Sequence, residues 1–330
     1  MVSFDPSLTF NHTCLRVKDP KVSIEFYVKN FGLELLKKLD FPEKKFTLYI
    51  LALNYPGNKG YNKNWAEREG VLELCHNYGS ESDPNFKINN GNADPHRGFG
   101  HICFTVDNIN ACCDALESSG VSFKKKLTDG RQKDIAFVLD PDGYWVELIN
   151  NKAIQPVEYK TEISTYKFNH TMIRVKDAKK SLDFYQNVLG MSLVDTLEFP
   201  AAKFTLYFLG YEFDDHSKGK HFSSRQSLLE LTHNWGTEDD PDFSYHNGND
   251  EPAGYGHIGV SVKDPASMCK QIEEEYPEVQ WVAKYGSFFL NNIAFVKDPD
   301  NYWIEILPSN LMAETHDCPG CSGELKDENK

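Results

Sequence analysis

The stretch HTCLRVKDPKVSIEFY, residues 12–27, occurs a second time as HTMIRVKDAKKSLDFY at residues 170–185. Ten of the sixteen positions are identical, including the opening histidine, the arginine four residues later and the closing Phe-Tyr pair. Further copied stretches follow in the same order, at a nearly constant spacing. A repeat of this length indicates two homologous domains within one chain.

The remaining copies extend this repeat over most of the chain. They pair FPEKKFTLYILAL (41–53) with FPAAKFTLYFLGY (199–211), LELCHNYG (72–79) with LELTHNWG (229–236), GFGHICFTV (98–106) with GYGHIGVSV (254–262), and AFVLDPDGYWVELI (136–149) with AFVKDPDNYWIEIL (294–307). Between the repeats lies the polar segment NNKAIQPVEYKTEIS. We therefore expect a first domain at residues 8–152, a second at 164–310 and a polar C-terminal tail at 311–330.

The composition restricts the possible partners and the compartment. The 330 residues are 40% hydrophobic and 25% charged, as in soluble globular proteins, and carry a net charge of −14. This charge argues against nucleic acid as a partner, because phosphates require a basic surface. The start, MVSFDPSLTF, lacks the features of a signal peptide, and no apolar run is long enough for a membrane span. We expect a cytoplasmic protein whose eight cysteines are reduced.

Each repeat reads as two similar units of one helix and several strands. In DPKVSIEFYVKNFG, an Asp cap, a Pro in the first turn and the closing Gly32 predict a helix with apolar residues at Val22, Phe26 and Tyr27. In INACCDALESSG, a second helix is predicted to stop at Gly120. Runs such as FTLYILAL and IAFVLD predict strands. A helix followed by mostly antiparallel strands, four times over, predicts an α+β protein with curved sheets.

Several polar residues interrupt these apolar strands. Glu73 lies between two leucines, Glu147 lies between Val146 and Leu148, and His101 opens HICFTV. One interpretation is that these side chains point to water, because antiparallel sheets often have one solvated face. The other is that the carboxylates are buried, in which case each needs a cation or hydrogen-bond donors.

The duplication favours the second interpretation, because every one of these polar residues recurs with the same type in the other repeat. The pairs are His12 and His170, Glu73 and Glu230, His101 and His257, and Glu147 and Glu305. Two imidazoles and two carboxylates form a plausible octahedral site for a divalent metal, with two positions left for water or substrate.

The motifs LRVKDPKVSIEFY, FPEKKFTLY, LELTHNWG, NGN…GFGHI and DPDGYWVELI together resemble the glyoxalase I (lactoylglutathione lyase) family, in its single-chain, two-domain fungal form. The resemblance covers residues from about 10 to about 310. It implies four βαβββ modules of the vicinal-oxygen-chelate fold, in two homologous domains that form a pseudo-dimer. It also implies the metal-dependent isomerisation of the glutathione–methylglyoxal hemithioacetal to S-D-lactoylglutathione through an enediolate, which detoxifies methylglyoxal.

In homodimers of this family each active site lies between subunits, so the resemblance implies two sites that each combine both repeats. One would contain His170, Glu230, His101 and Glu147, and the other His12, Glu73, His257 and Glu305. Each would hold one divalent metal, with Zn2+ expected and Ni2+ or Co2+ as alternatives. Human-type relatives carry glutamine at the first ligand position, whereas both copies here carry histidine.

The resemblance also implies roles for individual side chains. The base would be Glu147 or Glu305, and Glu230 or Glu73 would lie across the metal. Glutathione, the cosubstrate, carries two carboxylates and would be bound by the following residues: Arg174, Asn234, Arg97, Lys125, Arg131, Arg16 and Asn77. For the arginines of the opening repeats, the alternative is an exposed residue in a loose ion pair.

The two expected sites differ in their basic residues. Arg97, Lys125 and Arg131 of the first repeat are replaced in the second by Ala253, Ala283 and Phe289, with only Lys284 nearby. We therefore expect the site with His170 to bind glutathione through a complete set of contacts. The other site should bind glutathione more weakly or favour different adducts.

Two other functions remain open at this stage. An extradiol dioxygenase uses iron with two histidines and one carboxylate, which fits four ligands and a basic cluster less well. A binding protein that sequesters a small molecule would not need Glu147 and Glu305 at the metal. The tail HDCPGCSGELKDENK is polar and lies beyond the last module, which predicts a frayed terminus. Metal capture by its C-x-x-C motif is the alternative. Because a fused pseudo-dimer already contains its main interface, we expect a monomer.

Overall fold

Four copies of a βαβββ module build the chain. A computed structural model describes residues 4–130, 132–213 and 217–312. The modules are, in order: β1 Thr9–Val17, α1 Pro20–Phe31, β2 Leu33–Phe41, β3 Phe46–Leu53 and β4 Val71–Asn77; β5 Phe99–Val106, α2 Ile109–Ser118, β6 Phe123–Lys125, β7 Ile135–Leu139 and β8 Trp145–Asn150; β9 Lys167–Val175, α3 Ala178–Asp183, β10 Ser192–Phe199, β11 Phe204–Gly210 and β12 Leu228–Asn234; β13 Tyr255–Val262, α4 Pro265–Glu275, β14 Trp281–Ala283, β15 Ala294–Lys297 and β16 Trp303–Pro308. The predicted α+β fold of four such modules is confirmed.

Short helical turns join these elements. Helix α3 continues into a π-helical turn, Phe184–Val188. Single 3-10 turns occupy Pro42–Lys44, Trp65–Glu67, Ser80–Ser82, Ile163–Thr165, Pro200–Ala202, Phe222–Ser224 and Thr237–Asp239. Within the three described stretches of chain, no helix is long and apolar enough to span a membrane.

The first helix begins and ends where its sequence predicts. The Asp19 side chain accepts a hydrogen bond from the Lys21 amide at 2.9 Å, and Gly32 ends α1 in the left-handed conformation at φ 70°. Tyr27 is fully buried, whereas Val22 is 49% exposed. The buried face of α1 therefore runs through Tyr27 and Phe31, and the apolar Val22 lies outside it.

Two eight-stranded sheets form the framework, and each takes half of its strands from each repeat. Sheet 1 has the order β10-β11-β12-β9-β5-β8-β7-β6, and sheet 2 has the order β14-β15-β16-β13-β1-β4-β3-β2. The repeats meet where β5 pairs with β9 and where β1 pairs with β13, both antiparallel. The domain boundaries 8–152 and 164–310 stay predictions, because both repeats share both sheets. The tail expected at 311–330, with its C-x-x-C motif, lies outside the described residues beyond Met312.

Candidate metal centres

Four polar side chains meet at the middle of sheet 1, one from each of four adjacent strands. Glu230 lies on β12, His170 on β9, His101 on β5 and Glu147 on β8, and we call this group centre 1. His170 Nε2 lies 3.0 Å from a Glu230 carboxylate oxygen and 3.1 Å from one of Glu147. His101 Nε2 lies 3.4 Å from Glu147 and 3.2 Å from His170 Nε2. One ligand atom from each of the four residues falls within 4.8 Å of all the others.

Sheet 2 carries the equivalent group, which we call centre 2. His12 on β1 and His257 on β13 place their Nε2 atoms 3.1 Å apart, and each lies 3.2 Å from a Glu305 oxygen. Glu73 on β4 approaches His257 Nε2 to 3.8 Å. Both centres therefore bring together the residues expected from the sequence, two from each repeat. The interpretation that these glutamates face water is wrong, since Glu73 is 2% and Glu147 is 6% exposed.

At each centre a buried glutamate stays ionised, and its negative charge favours a cation there. Burial raises the pKa of Glu147, but the facing His101 and His170 outweigh it and hold that pKa well below its ordinary value. Burial likewise opposes ionisation of Glu305, yet His12 and His257 lower its pKa to about 2. These carboxylates are therefore charged despite their burial, as a divalent metal requires.

Sequence reasoning missed two residues that orient the ligands. Asn11 Oδ1 lies 2.7 Å from His12 Nδ1, and Asn169 Oδ1 lies 2.7 Å from His170 Nδ1. Both asparagines are fully buried. The signal was available, because Phe-Asn-His occurs in both repeats just before the copied stretch.

The first strands of the two repeats, β1 and β9, contact each other next to the two centres. Thr13 Oγ1 and Thr171 Oγ1 are 2.5 Å apart, and both side chains are buried. Each threonine directly follows a ligand histidine in the sequence. A hydroxyl–hydroxyl hydrogen bond therefore joins the strands that carry His12 and His170.

The arginines of the copied stretch clamp a loop of the other repeat. Arg174 donates to the carbonyls of Gly91, Gly98 and Phe99 at 3.1 to 3.2 Å, and to Asn92 Oδ1 at 2.8 Å. It is only 8% exposed.

Arg16 makes the matching contacts in the opposite direction. It reaches the carbonyl of Tyr255 at 3.1 Å and Asn249 Oδ1 at 2.8 Å. Neither arginine fits the alternative of a loose surface ion pair. Their role in glutathione binding stays a prediction.

The other residues expected to bind glutathione lie in varied surroundings. Asn234 donates to the Tyr245 hydroxyl at 2.9 Å, and Asn77 is exposed at the end of β4. Arg97 is half exposed, with its Nε 3.9 Å from Asp94. Lys125 Nζ donates to the carbonyls of residues 132 and 135, at 2.7 and 2.5 Å. Arg131 lies outside the described residues.

Comparison with known proteins places the chain among its relatives. The Glyoxalase/Bleomycin resistance protein/Dioxygenase superfamily matches residues 9–148 and 167–306. Glyoxalase I of Saccharomyces cerevisiae is 55% identical over 94% of this chain and 95% of its own length. Lactoylglutathione lyase of Schizosaccharomyces pombe is 47% identical over 90% of this chain and 95% of its own length.

A solved structure agrees with these sequence matches. Glyoxalase I from Zea mays superimposes with a TM-score of 0.68 at 26% identity, covering 92% of this chain and 93% of that one. The family and fold that the copied motifs suggested are thus confirmed. Within the superfamily, the chain belongs to the glyoxalase I family, the lactoylglutathione lyases.

Proposed function

We propose that both centres hold a divalent metal and that each isomerises the glutathione–methylglyoxal hemithioacetal to S-D-lactoylglutathione. The chain is a lyase of the glyoxalase I family, and the proposal assigns its reaction to particular residues. One observation carries the proposal: two histidines and two glutamates converge twice, each time across the junction of the two repeats.

The donor set of each centre suits a divalent metal. Two imidazole nitrogens and two carboxylates supply a mixed nitrogen and oxygen environment, and two carboxylates neutralise a dication. Zn2+ is the ion we propose, with Ni2+ and Co2+ as alternatives that accept the same ligands. A metal held by these residues would supply a Lewis acid that stabilises negative charge on the substrate.

The glutamates of the YWxE motifs are proposed to move the proton. Glu147 or Glu305 takes it from the carbon that bears sulfur and hydroxyl, and returns it to the neighbouring carbonyl carbon. The product is a thioester with the same atoms as the substrate. Glu230 and Glu73 lie on the opposite side of each histidine pair and are candidates for handling the other stereoisomer. The Glu147 and Glu305 side chains are buried, which limits their contact with bulk water.

Basic residues are proposed to bind the carboxylates of glutathione more completely at centre 1. Burial of Arg174 lowers its pKa, and the positive charge of the nearby Arg97 lowers it further. The positive charges of Arg97 and Arg174 support anion binding next to centre 1, against the negative charge of the whole molecule. The corresponding positions at centre 2 include Ala253 and Ala283. We therefore propose tighter glutathione binding at centre 1.

The chain is further proposed to act as a cytoplasmic monomer. Each centre is completed by residues of one chain, so catalysis requires no second copy. Within the described residues, six cysteines are free thiols, which fits a reducing compartment. The dioxygenase and sequestration alternatives receive no support from the full-length relatives, which are lyases.

The direct test measures thioester formation from methylglyoxal and glutathione by ultraviolet absorbance, in the metal-loaded wild type and in Glu147→Gln and Glu305→Gln. Removing a positioned acid–base group should lower the rate at its centre by roughly 10² to 10⁴. We expect Glu147→Gln to remove most of the activity and Glu305→Gln little. Comparable losses would contradict the difference between centres, and no thioester from the wild type would reject the reaction itself.

A further inference from the structure

A row of aromatic rings leads from a ligand of centre 2 to its rim. The His257 ring lies 5.2 Å from Phe295, which lies 5.4 Å from Phe288. Phe288 contacts Phe289 at 4.5 Å, and Phe289 meets Phe41 at 5.5 Å, where the β2–β3 hairpin turns. Phe289 is 42% exposed. An apolar strip therefore connects the ligand histidine with solvent.

This strip lies on the face of sheet 2 that carries the ligands. In the antiparallel register Phe295 is directly opposite Glu305, and Ile50 is directly opposite Glu73, so each pair shares a face. Both apolar residues belong to a separate hydrophobic cluster of sheet 2, distinct from the main core. Its buried members are Leu39, Ile50, Ala52, Trp65, Ala66, Val71, Ile293, Phe295, Leu307 and Leu311.

Centre 1 keeps the inner ring of this strip, because Phe137 lies 5.3 Å from His101, but the two outer positions there are polar or small. With Ala136 aligned to Ala294, Phe288 corresponds to Gly130 and Phe289 to Arg131. Lys125, whose ammonium group bridges two carbonyls of this loop, corresponds to Ala283. The family resemblance implies that Lys125 and Arg131 contact the glycyl carboxylate of glutathione at centre 1. At centre 2 these two basic residues are replaced by Ala283 and by the phenyl ring of Phe289.

The nearby lysines of centre 2 are already engaged. Lys284, adjacent in sequence to Ala283, forms an ion pair with Glu273 at 3.3 Å. Lys44 Nζ lies 5.7 Å from the centre of the Phe289 ring, in a cation–π contact. A carboxylate placed against Phe288 and Phe289 would lose water without gaining a bidentate partner, which is unfavourable.

We propose that centre 2 accepts hemithioacetals whose thiol arm ends in an uncharged, apolar group where glutathione has its glycyl carboxylate. The inference rests on the proposed function of the centres and names a substrate class for one of them. Masking that carboxylate removes the desolvation penalty at Phe289 and adds apolar surface to the strip. At centre 1, the same masking removes a charged contact.

The test compares glutathione with its glycyl ethyl ester as the thiol, using methylglyoxal as the aldehyde. Glu147→Gln isolates centre 2 and Glu305→Gln isolates centre 1, both in the full metal-loaded chain. At centre 1 the ester should lower kcat/KM by about tenfold or more, as expected for one lost charged contact. At centre 2 the ester should be within about threefold of the free acid, or better.

Two further variants of the centre 2 enzyme identify the residues responsible. Adding Phe289→Arg should create a preference for the free acid of about tenfold. Adding Lys44→Ala tests whether Lys44 replaces the missing arginine. If centre 2 prefers the free acid as strongly as centre 1, or loses such a preference only with Lys44→Ala, the proposal is wrong.

Failure of the proposal is distinguishable from failure of the reaction. If the centre 2 enzyme converts neither thiol while the centre 1 enzyme converts glutathione, the substrate class is overturned but the lyase function stands. If neither single-centre enzyme nor the wild type converts the glutathione adduct, the proposed function fails first, and this inference fails with it.

Discussion

Asn169 fixes the ring of His170 through a hydrogen bond of 2.7 Å between Asn169 Oδ1 and His170 Nδ1. The amide nitrogen of Asn169 donates to the carbonyls of Phe222 and Arg225, at 2.8 and 2.7 Å. Because both donors are used in this way, the side-chain oxygen must be the acceptor and His170 Nδ1 must be the donor. The lone pair of Nε2 then points into centre 1, where a metal ligand needs it.

Replacing Asn169 by leucine should weaken metal binding at centre 1 by about 10- to 100-fold, as for other residues that orient metal-bound histidines. Affinity would be measured by competition with a chelator in the Glu305→Gln chain. The matched control is Asn11→Leu, which should weaken centre 2 instead. A loss of thermal stability with unchanged metal affinity would show that Asn169 has a structural role only.

Complete metal loading should give two divalent ions per chain. His101→Ala and His257→Ala should each reduce this number to one, because each removes a ligand from a different centre. Dialysis against a chelator should abolish thioester formation, and Zn2+, Ni2+ or Co2+ should restore it. Metal should also raise Tm, since it binds the folded state preferentially. A stoichiometry that the two histidine variants leave unchanged would contradict the assignment of the ligands.

The ends of α1, the faces of strand residues and the ligand residues of the centres could be predicted from the sequence. Asp19 and Gly32 fix the ends of α1, and the alternation of strand residues placed Glu73 and Glu147 on particular faces. The duplication then identified the eight polar residues of both centres. In each case the signal lies in neighbouring residues or in a repeated pattern.

The features that escaped prediction depend on distant contacts. Neither propensity nor periodicity reveals that β1 pairs with β13, more than two hundred residues away. The cross-repeat contacts of Arg174 and Arg16 follow from that pairing, so their carbonyl partners could not be foreseen. The repeated Phe-Asn-His marks Asn169 as a candidate, but its orienting role follows only from its contacts with His170, Phe222 and Arg225.

Arg174→Lys should lower the free energy of unfolding by roughly 1 to 3 kcal/mol, because a single ammonium cannot reproduce the planar fork that spans three carbonyls and Asn92. Arg16→Lys is the matched control and should have the smaller effect, since Arg16 is less buried. Urea unfolding followed by tryptophan fluorescence measures both. Equal and negligible losses would argue that the carbonyl contacts do not hold the repeats together.

The closing tyrosine of each copied stretch contacts a buried aspartate. Tyr185 donates to Asp298 Oδ2 at 2.9 Å, and Tyr27 donates to Asp140 Oδ2 at 2.8 Å. Asp298 Oδ1 also accepts from the amides of residues 300 and 302, both at 2.9 Å. Burial, reinforced by the neighbouring Asp300, raises the pKa of Asp298 to about 8, and burial raises that of Asp140 to about 7.

These raised pKa values predict a loss of stability as the pH increases. The folded state favours protonated Asp298, so its contribution is complete below the unfolded pKa of about 4 and is lost as the pH rises towards about 8. Asp298→Asn keeps the acceptor oxygen and removes the ionisation. Between about pH 5 and pH 8, the free energy of unfolding of the wild type should fall relative to this variant by roughly 1 kcal/mol per pH unit. Asp140→Asn is the matched control, whose effect should level off nearer pH 7. Parallel pH profiles for the wild type and Asp298→Asn, measured by urea unfolding, would show that this carboxyl does not titrate in that range.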